Sequence, residues 1–214
     1  LPIGGSEVRN DATARGGLLV VREAARERGI DMAEATFAVQ GFGNAGQFAA
    51  SLHQEVLGGG RLVAVTDSRG GAYNPKGLDP EALVRYKLET GQVQGFPDSD
   101  PITNDEILEL ELDILYPSAL ENVITDRNAD QIKARIICEL ANGPTTPEAD
   151  AILHEKNLLV LPDFLANAGG VTVSYFEMVQ NTYNRYWGIE QVHQRLERKM
   201  TTAFSEVYSL REER

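Results

Sequence analysis

A glycine-rich run is the feature of this sequence that most plainly points to chemistry. Residues 41–46 read G-F-G-N-A-G, directly after a predicted strand and directly before a predicted helix. In this pattern the first glycine makes a tight turn, the second lets the backbone approach a pyrophosphate, and the third lets helix and strand pack closely. The phosphates then meet free N–H groups at the start of the helix. A purely structural turn is the alternative, which this placement disfavours. The predicted dinucleotide-binding loop consists of Gly41, Phe42, Gly43, Asn44, Ala45 and Gly46.

An acidic residue ends the next predicted strand, where the same pattern expects one about 20 residues further on. This residue is Asp67, followed by Ser68. Its carboxylate can accept hydrogen bonds from both hydroxyls of the adenosine ribose and would repel the extra phosphate of NADP. We therefore predict NAD as the cofactor, with NADP as the alternative because Arg69 could hold a phosphate. Asp67 could also serve only to start a turn.

Cysteine and histidine, which often form reactive or metal-binding sites, give no second motif in this sequence. Cys138 lies in an apolar run, and we expect it to pack in the core. His53, His154 and His193 lie in separate helical stretches among mostly polar neighbours, without the spacing of metal ligands. We expect these three side chains to be solvated and predict no metal site.

Composition excludes several classes of protein. The 214 residues are 42% hydrophobic and 24% charged, as in an ordinary globular protein. A net charge of −12 argues against nucleic acid as a partner. The apolar runs are far shorter than the roughly 20 residues that span a bilayer, and the sequence shows no secretory signal. We expect no membrane association and a cytoplasmic location.

Strand and helix patterns alternate along the chain. Strands are predicted over 36–40, 61–66, 112–116, 136–140 and 158–161, and helices over 13–28, 45–57, 80–89, 128–133, 147–155 and from about 168 to the end. The glycine-, proline- and acid-rich stretch 68–105 is predicted to be surface, apart from its helix. This alternation indicates an α/β fold with a doubly wound, mostly parallel sheet of Rossmann type, helices on both faces and a helical C-terminal segment.

Three further stretches resemble a known family. They are A-N-G-P-T-T-P-E-A-D at 141–150, P-D-F-L-A-N-A-G-G-V-T-V-S-Y-F-E at 162–177, and Gly4-Gly5-Ser6 followed by Arg9, Ala12 and Thr13. Together with residues 41–46, they closely resemble the C-terminal NAD(P)-binding domain of glutamate dehydrogenases, in the Glu/Leu/Phe/Val dehydrogenase family. The similarity extends over nearly the whole chain, so we expect residues 1–214 to form a single dinucleotide-binding domain.

The resemblance implies roles for particular residues at the cofactor. Thr13, Asn142 and Asn167 would serve the nicotinamide carboxamide and its ribose, and Ser118 and Ala119 would line the cofactor cleft. An amide suits this task because it offers a donor and an acceptor together. An Asx-turn for Asn142 and a helix N-cap for Asn167 or Thr13 are the structural alternatives.

The resemblance also implies a substrate. Arg9, Val171 and Ser174 would line its pocket, with Ser174 hydrogen-bonding the side-chain carboxylate of glutamate, although Ser174 could also be a simple helical serine. The implied reaction is the reversible oxidative deamination of L-glutamate to 2-oxoglutarate and ammonia.

The catalytic groups of this family lie elsewhere. Its acid–base lysine and aspartate belong to an N-terminal substrate domain, so we expect no catalytic residue in this chain and no activity of the fragment alone. The resemblance also implies a homohexamer for the intact enzyme. A branched-chain or aromatic amino-acid dehydrogenase domain and a free-standing NAD-binding regulatory module are the alternatives.

Overall fold

The computed structural model describes residues 5–212, which contain a seven-stranded sheet. Gly4, in the stretch near the start of the chain that resembles the family, lies outside the described residues. The strands are β1 Thr36–Gln40, β2 Arg61–Asp67, β3 Gly70–Tyr73, β4 Asp100–Ile102, β5 Ile114–Pro117, β6 Ile136–Cys138 and β7 Leu159–Leu161. The helices are α1 Ala12–Glu27, α2 Asn44–Leu57, α3 Pro80–Thr90, α4 Pro147–Glu155, α5 Asp163–Ala166, α6 Gly169–Thr182 and α7 Ile189–Glu212. Short 3-10 helices span Glu7–Arg9, Glu106–Glu109 and Ala129–Gln131.

The strand order is β4-β3-β2-β1-β5-β6-β7. The five neighbouring strands β2, β1, β5, β6 and β7 are parallel to one another. At the other edge, β3 pairs antiparallel with β2, and β4 pairs antiparallel with β3. From β1 the chain first moves outward to β2, and later returns to place β5 on the other side of β1. This reversal creates a topological switch point between β1 and β5, where open α/β sheets bind their ligands. The predicted doubly wound, mostly parallel fold is confirmed.

Side chains of alternate strand residues fill a separate core on each face of the sheet. In β1, Phe37 and Val39 pack into the core shared with α1, α2, α6 and α7, whereas Ala38 faces the core that includes α4. Because both faces are covered, the strands are almost wholly apolar, as is usual in parallel sheets. Cys138 is fully buried in the first of these cores, as predicted.

Close packing of α1 against α6 brings two parts of the predicted site together. A Cβ on Gly169 would lie 2.0 Å from the carbonyl oxygen of Ala12, and a Cβ on Gly16 would lie 2.7 Å from Cα of Gly169. Only glycine permits this approach, because any side chain would collide with backbone. The amino ends of α1 and α6 therefore meet near the carboxyl edge of the sheet.

The stretch 68–105 differs from the surface segment that we predict from its composition. It contributes β3 and β4 to the sheet, and it also buries Leu83 and Val93 completely. The two strands are short and rich in glycine and proline, so their own residues show little strand pattern; pairing with β2 is what orders them. The helix predicted over 128–133 is only the 3-10 helix Ala129–Gln131.

The prediction that His53 is solvated is wrong. Its side chain is 1% exposed and stacks on Phe37 with 3.7 Å between ring centroids. Nδ1 lies 2.7 Å from the carbonyl oxygen of Gly59 and Nε2 lies 3.1 Å from the hydroxyl of Tyr116. A carbonyl only accepts, so Nδ1 donates to Gly59, and the neutral ring accepts at Nε2 from Tyr116. The neighbours of His53 in sequence are mostly polar and give no sign of this burial, because the burial depends on contacts with β1 and β5.

His154 is exposed and His193 is partly buried. Desolvation lowers the pKa of His193 below its ordinary value. Among residues 5–212, no helix combines the length and the apolar character needed to cross a bilayer.

Candidate functional site

A cleft of about 530 Å³ lies at the switch point of the sheet. This volume falls within the range of roughly 300–1,000 Å³ that is usual for small-molecule sites. The cleft is lined by residues at the ends of β1, β2 and β5 and from the segments beside them: Gln40, Gly41, Phe42, Gly43, Asp67, Ser68, Lys87, Asn104, Ser118, Ala119, Leu120 and Val123. It thus collects seven of the residues predicted for the cofactor from three separate parts of the sequence.

The three glycines of the loop have distinct surroundings. Gly41 has a φ of 96°, and a Cβ there would lie 2.5 Å from Cβ of Ala119. A Cβ on Gly46 would lie 2.2 Å from the carbonyl oxygen of Gly41. A Cβ on Gly43, in contrast, would meet no atom of the described residues within 4 Å. The first and third glycines are therefore needed by the fold, whereas the second leaves open space beside the backbone.

The start of α2 adjoins that open space. Gly43 is the extended N-cap residue of the 14-residue helix, and no described side chain caps it. The first N–H groups of a helix have no partner within the helix, so those of Asn44, Ala45 and Gly46 can bind an anion supported by the helix dipole. The side-chain amide of Asn44 donates to the backbone carbonyl oxygen of Asn10 at 3.2 Å. Phe42 is fully buried and anchors the loop to the core.

Asp67 lies where the sequence places it, at the carboxyl end of β2, but its carboxylate already has three donors. Oδ1 accepts from the backbone N–H of Arg69 at 2.9 Å. Oδ2 accepts from the backbone N–H of Val93 at 2.9 Å and from Nζ of Lys87 at 3.0 Å. Only 7% of the side chain is exposed. These contacts fix the carboxylate at the cleft. Oδ1 has only one donor, so it can accept one further hydrogen bond.

Lys87 is a cleft residue that sequence reasoning missed. It lies on α3 and pairs with Asp67 across 20 positions of sequence. No motif marks it, because a lysine in an amphipathic helix is ordinarily a solvated one. The ion pair places a positive charge beside the predicted ribose position, so Asp67 does not act there as an isolated negative charge.

Gln40 and Asn104 form a second group that the sequence did not reveal. Gln40 is 4% exposed, and its Nε2 donates to Oδ1 of Asn104 at 3.4 Å, while Nδ2 of Asn104 donates to the carbonyl oxygen of Asp67 at 2.9 Å. Oε1 of Gln40 is buried without a hydrogen-bond partner within residues 5–212. A buried unpaired acceptor in a cleft wall is costly and fits a site that receives a polar ligand or an ordered water.

Ser118 and Ala119 form the wall opposite the glycine loop. The backbone N–H of Ser118 donates to the carbonyl oxygen of Gln40 at 2.7 Å, which continues the pairing of β1 with β5 beyond the strands. The hydroxyl of Ser118 donates to the carbonyl oxygen of Tyr116 at 3.2 Å, leaving its oxygen free to accept. Ala119 approaches Gly41 closely, so this wall tolerates little extra volume.

Asn142 and Asn167, predicted for the nicotinamide end, contact each other. Nδ2 of Asn167 donates to Oδ1 of Asn142 at 2.8 Å. Each amide keeps a complementary group in this arrangement, with donors on Asn142 and an acceptor on Asn167. The backbone carbonyl oxygen of Asn167 also accepts from the backbone N–H of Gly170 at 3.3 Å, which joins the asparagine pair to the start of α6.

The remaining predicted residues gather where α1 and α6 meet. A Cβ on Gly170 would lie 2.5 Å from Oγ1 of Thr13, so the Thr13 hydroxyl lies against the α6 backbone. Nε of Arg9 donates to Oγ of Ser174 at 2.8 Å, which brings two of the predicted substrate residues together. Val171 lies one turn before Ser174 with 69% of its surface exposed. Thr13 is the second residue of α1, whose N-cap is Asp11, so it is not an N-cap residue.

Comparison with known proteins gives a consistent result along the whole chain. A sequence model described as Glutamate/Leucine/Phenylalanine/Valine dehydrogenase matches residues 4–214. The chain is 54% identical over 210 residues to a glutamate dehydrogenase of Thermotoga maritima, covering 98% of this chain and 50% of that protein. It is 47% identical over 210 residues to a catabolic NAD-specific glutamate dehydrogenase of Bacillus subtilis, covering 98% of this chain and 48% of that protein.

Solved structures show the same similarity. The hetero-hexameric glutamate dehydrogenase of Thermus thermophilus superposes with a TM-score of 0.88 at 35% identity, over 95% of this chain and 48% of that one. The glutamate dehydrogenase of Peptoniphilus asaccharolyticus gives a TM-score of 0.83 at 39% identity, over 99% of this chain and 49% of that one. The chain therefore spans about half the length of the relatives that it matches.

Proposed function

The chain belongs to the Glutamate/Leucine/Phenylalanine/Valine dehydrogenase family, and from that membership we propose that it is the NAD-binding half of a glutamate dehydrogenase. The intact enzyme would catalyse the reversible oxidative deamination of L-glutamate to 2-oxoglutarate and ammonia. Support for this substrate comes from the relatives from Thermotoga maritima and Bacillus subtilis, both of which are glutamate dehydrogenases.

One observation carries the proposal of dinucleotide binding. The open space beside Gly43 coincides with the uncapped start of α2, at the switch point of a parallel sheet. Backbone N–H groups and the helix dipole would hold the pyrophosphate there. Bound NAD would supply the hydride acceptor, while the chain itself orients the cofactor and shields part of it from water.

The adenosine half of the cofactor would lie between β1, β2 and β5. Asp67 would accept from a ribose hydroxyl at Oδ1, and Ser68 and Ser118 would contribute further polar contacts. The preference for NAD rests on Asp67 and on the relative from Bacillus subtilis, which is NAD-specific. NADP remains the alternative cofactor because the ammonium of Lys87 places positive charge close to the same position and because Arg69 follows two residues after Asp67.

The nicotinamide half would lie toward Asn142, Asn167 and Thr13. The free amide donors of Asn142 and the free acceptor of Asn167 match the carbonyl and amino groups of a carboxamide. Arg9 and Ser174, which are hydrogen-bonded to each other, would then form one edge of the substrate pocket. There they could donate hydrogen bonds to a carboxylate of glutamate.

The rest of the enzyme would come from a region that resembles the other half of the relatives. That region would carry the acid–base lysine and aspartate and most of the substrate pocket. The relative from Thermus thermophilus is a hetero-hexamer, and we propose a hexamer for the intact enzyme here as well. A cytoplasmic location stays a prediction from sequence.

Calorimetric titration of the 214-residue chain with NADH tests the proposal. We compare the wild-type chain with Gly43→Val, which would fill the space assigned to the pyrophosphate without meeting any described atom within 4 Å at its Cβ. Gly188→Val is the matched control, because this glycine also has open surroundings but lies between α6 and α7, outside the cleft.

We expect NADH to bind the wild-type chain and the Gly188→Val variant equally, and we expect binding to Gly43→Val to be undetectable. Thermal unfolding of each variant shows that the fold is retained. A folded wild-type chain that gives neither heat nor a thermal shift with millimolar NADH would refute the proposal.

A further inference from the structure

A buried acidic side chain that neither motif nor resemblance singled out lies beside the predicted nicotinamide end. Glu139 follows β6 and is 6% exposed, whereas glutamate is rarely buried without a partner. Its Oε2 accepts from the backbone N–H of Asp163 at 3.0 Å. Burial raises the pKa of Glu139 above its ordinary value; the hydrogen bond from the Asp163 backbone opposes this rise, whereas the carboxylates of Asp163 and Asp150 add to it.

Asp163 links Glu139 to both asparagines of the site. Its Oδ2 accepts from the backbone N–H of Gly143 at 2.8 Å, directly after Asn142. Its carbonyl oxygen accepts from the backbone N–H of Asn167 at 2.9 Å. The loop after β6 and the end of α5 are thus both tied to one residue, whose own backbone is held by Glu139.

The geometry of the asparagine pair depends on this link. The bond of 2.8 Å between Nδ2 of Asn167 and Oδ1 of Asn142 joins two loops that follow different strands. Gly143 has a φ of 52°, in the left-handed region, so the loop that carries Asn142 turns sharply at the residue that Asp163 holds. A small shift of Asp163 would therefore change the separation of the two amides.

We propose that Glu139 is a positioning residue for the nicotinamide carboxamide: through Asp163 it sets the spacing of the Asn142 and Asn167 amides that receive this group. The inference rests on the proposed function, because it assigns the asparagine pair to the nicotinamide end of NAD. Glu139 itself does not contact the cofactor. Its effect is confined to one end of the dinucleotide, and this sets it apart from a residue that only stabilises the fold.

The test compares two ligands that differ only at that end. NADH carries the nicotinamide, whereas ADP-ribose lacks it and retains the adenosine, the pyrophosphate and both riboses. We titrate the wild-type chain, Glu139→Ala and Glu139→Gln with each ligand and take the ratio of the two dissociation constants. Enhancement of NADH fluorescence on binding reports separately on the surroundings of the nicotinamide.

Glu139→Ala leaves the N–H of Asp163 unpaired, and we expect it to weaken NADH binding by about threefold to tenfold, the factor that corresponds to one net hydrogen bond. Binding of ADP-ribose should stay within about twofold of wild type, and the fluorescence enhancement should decrease. Glu139→Gln keeps an acceptor for Asp163 and should restore most of the ratio.

Asp113→Ala is the matched control. Asp113 also accepts from a backbone N–H, that of Thr36 at 2.9 Å, but at the amino end of β5 and away from the cleft. This variant should lower stability without changing the ratio of the two affinities. If Glu139→Ala is poorly folded, Asp163→Ala removes the contact with Gly143 instead, and we expect the same selective loss of NADH binding.

An unchanged ratio in Glu139→Ala and Asp163→Ala would overturn the inference, and so would equal weakening of both ligands. Failure of the wild-type chain to bind either ligand would instead refute the proposed function, so the two failures are distinguishable.

Discussion

At the scale of single residues, the cleft depends on partners that lie far apart in sequence. The carboxylate of Asp67 accepts from the ammonium of Lys87, 20 positions further along the chain on α3, and from the backbone N–H of Val93. Both donors lie at the cleft because α3 and the segment after it fold back on the sheet. They determine the electrostatic surroundings of the Asp67 carboxylate.

Replacement of Asp67 should change cofactor preference. In Asp67→Ser, the ammonium of Lys87 loses its partner and lies free beside the ribose position. We expect NAD binding to weaken by about tenfold or more, in line with loss of a charged hydrogen bond, and the preference for NAD over NADP to decrease. Titration with both cofactors measures the ratio. Asp105→Ser, which removes an exposed charge on the segment after β4, should leave it unchanged. An unaltered ratio in Asp67→Ser would show that Asp67 does not select the cofactor.

His53 makes the stability of the chain depend on pH. Burial lowers its pKa from 6.5 to about 4 in the folded chain. Below pH 6.5 the unfolded chain therefore binds a proton that the folded chain does not, so the free energy of unfolding decreases as the pH falls from 6.5 toward 4. The contribution of this residue is about 3 kcal/mol over that interval.

The variant His53→Gln isolates this contribution. A glutamine amide can donate to Gly59 and accept from Tyr116, as the neutral imidazole does, but it does not titrate. Urea unfolding at several pH values should give a shallower decrease in stability for the variant between pH 6.5 and 4. Parallel curves for the two proteins would contradict the assignment of a neutral, buried His53.

At the scale of elements, the junction of β1, the glycine loop and α2 was predictable because it is local. Strand, turn and helix follow one another within 22 residues from Thr36 to Leu57. The edge strands β3 and β4 were not predictable, because neither has an apolar pattern of its own and each is ordered by pairing with a neighbour. The asparagine pair lies between these cases: the family resemblance singles out both residues, but neither their mutual contact nor their link to Glu139 could be predicted from sequence.

The second and third glycines of the loop, Gly43 and Gly46, should differ in how much their replacement lowers stability. In Gly46→Ala, the new Cβ would lie 2.2 Å from the carbonyl oxygen of Gly41 and would push α2 away from β1. We expect a loss of about 1–3 kcal/mol in the free energy of unfolding, as is usual for overpacking. Gly43→Ala should cost less than about 1 kcal/mol, since only its intrinsic conformational effect remains. Urea unfolding measures both; equal losses would show that the crowding at Gly46 is relieved at little cost.

At the scale of the whole molecule, the chain spans about half the length of its relatives, and the cofactor site that we propose would form only one side of an active site. Hydride transfer requires the substrate to be held about 3–3.5 Å from the reacting atom. In the proposed site, the hydrogen-bonded Arg9 and Ser174 would supply only one edge of the substrate pocket. The fold class and the proposed cofactor loop could be inferred from these 214 residues, whereas the acid–base groups that the proposed reaction needs could not.

We therefore expect the chain by itself to show no glutamate oxidation, even when saturated with NAD. The absence of an acid–base group alone would reduce the rate by about 10²–10⁴-fold. Formation of NADH with excess glutamate, measured against a full-length relative, checks this expectation. Addition of the other half of that relative, fused or in trans, should restore turnover. Activity of the chain alone above about one per cent of the control would mean that it contains a catalytic base.

A crystal structure of the chain with NADH tests the central claim most directly. The account predicts the pyrophosphate against Gly43 and the first N–H groups of α2, the adenosine ribose beside Asp67, and the carboxamide at the free amide groups of the Asn142–Asn167 pair. Electron density for the dinucleotide away from the cleft between β1 and β5, or in the cleft with its two ends reversed, would contradict the account.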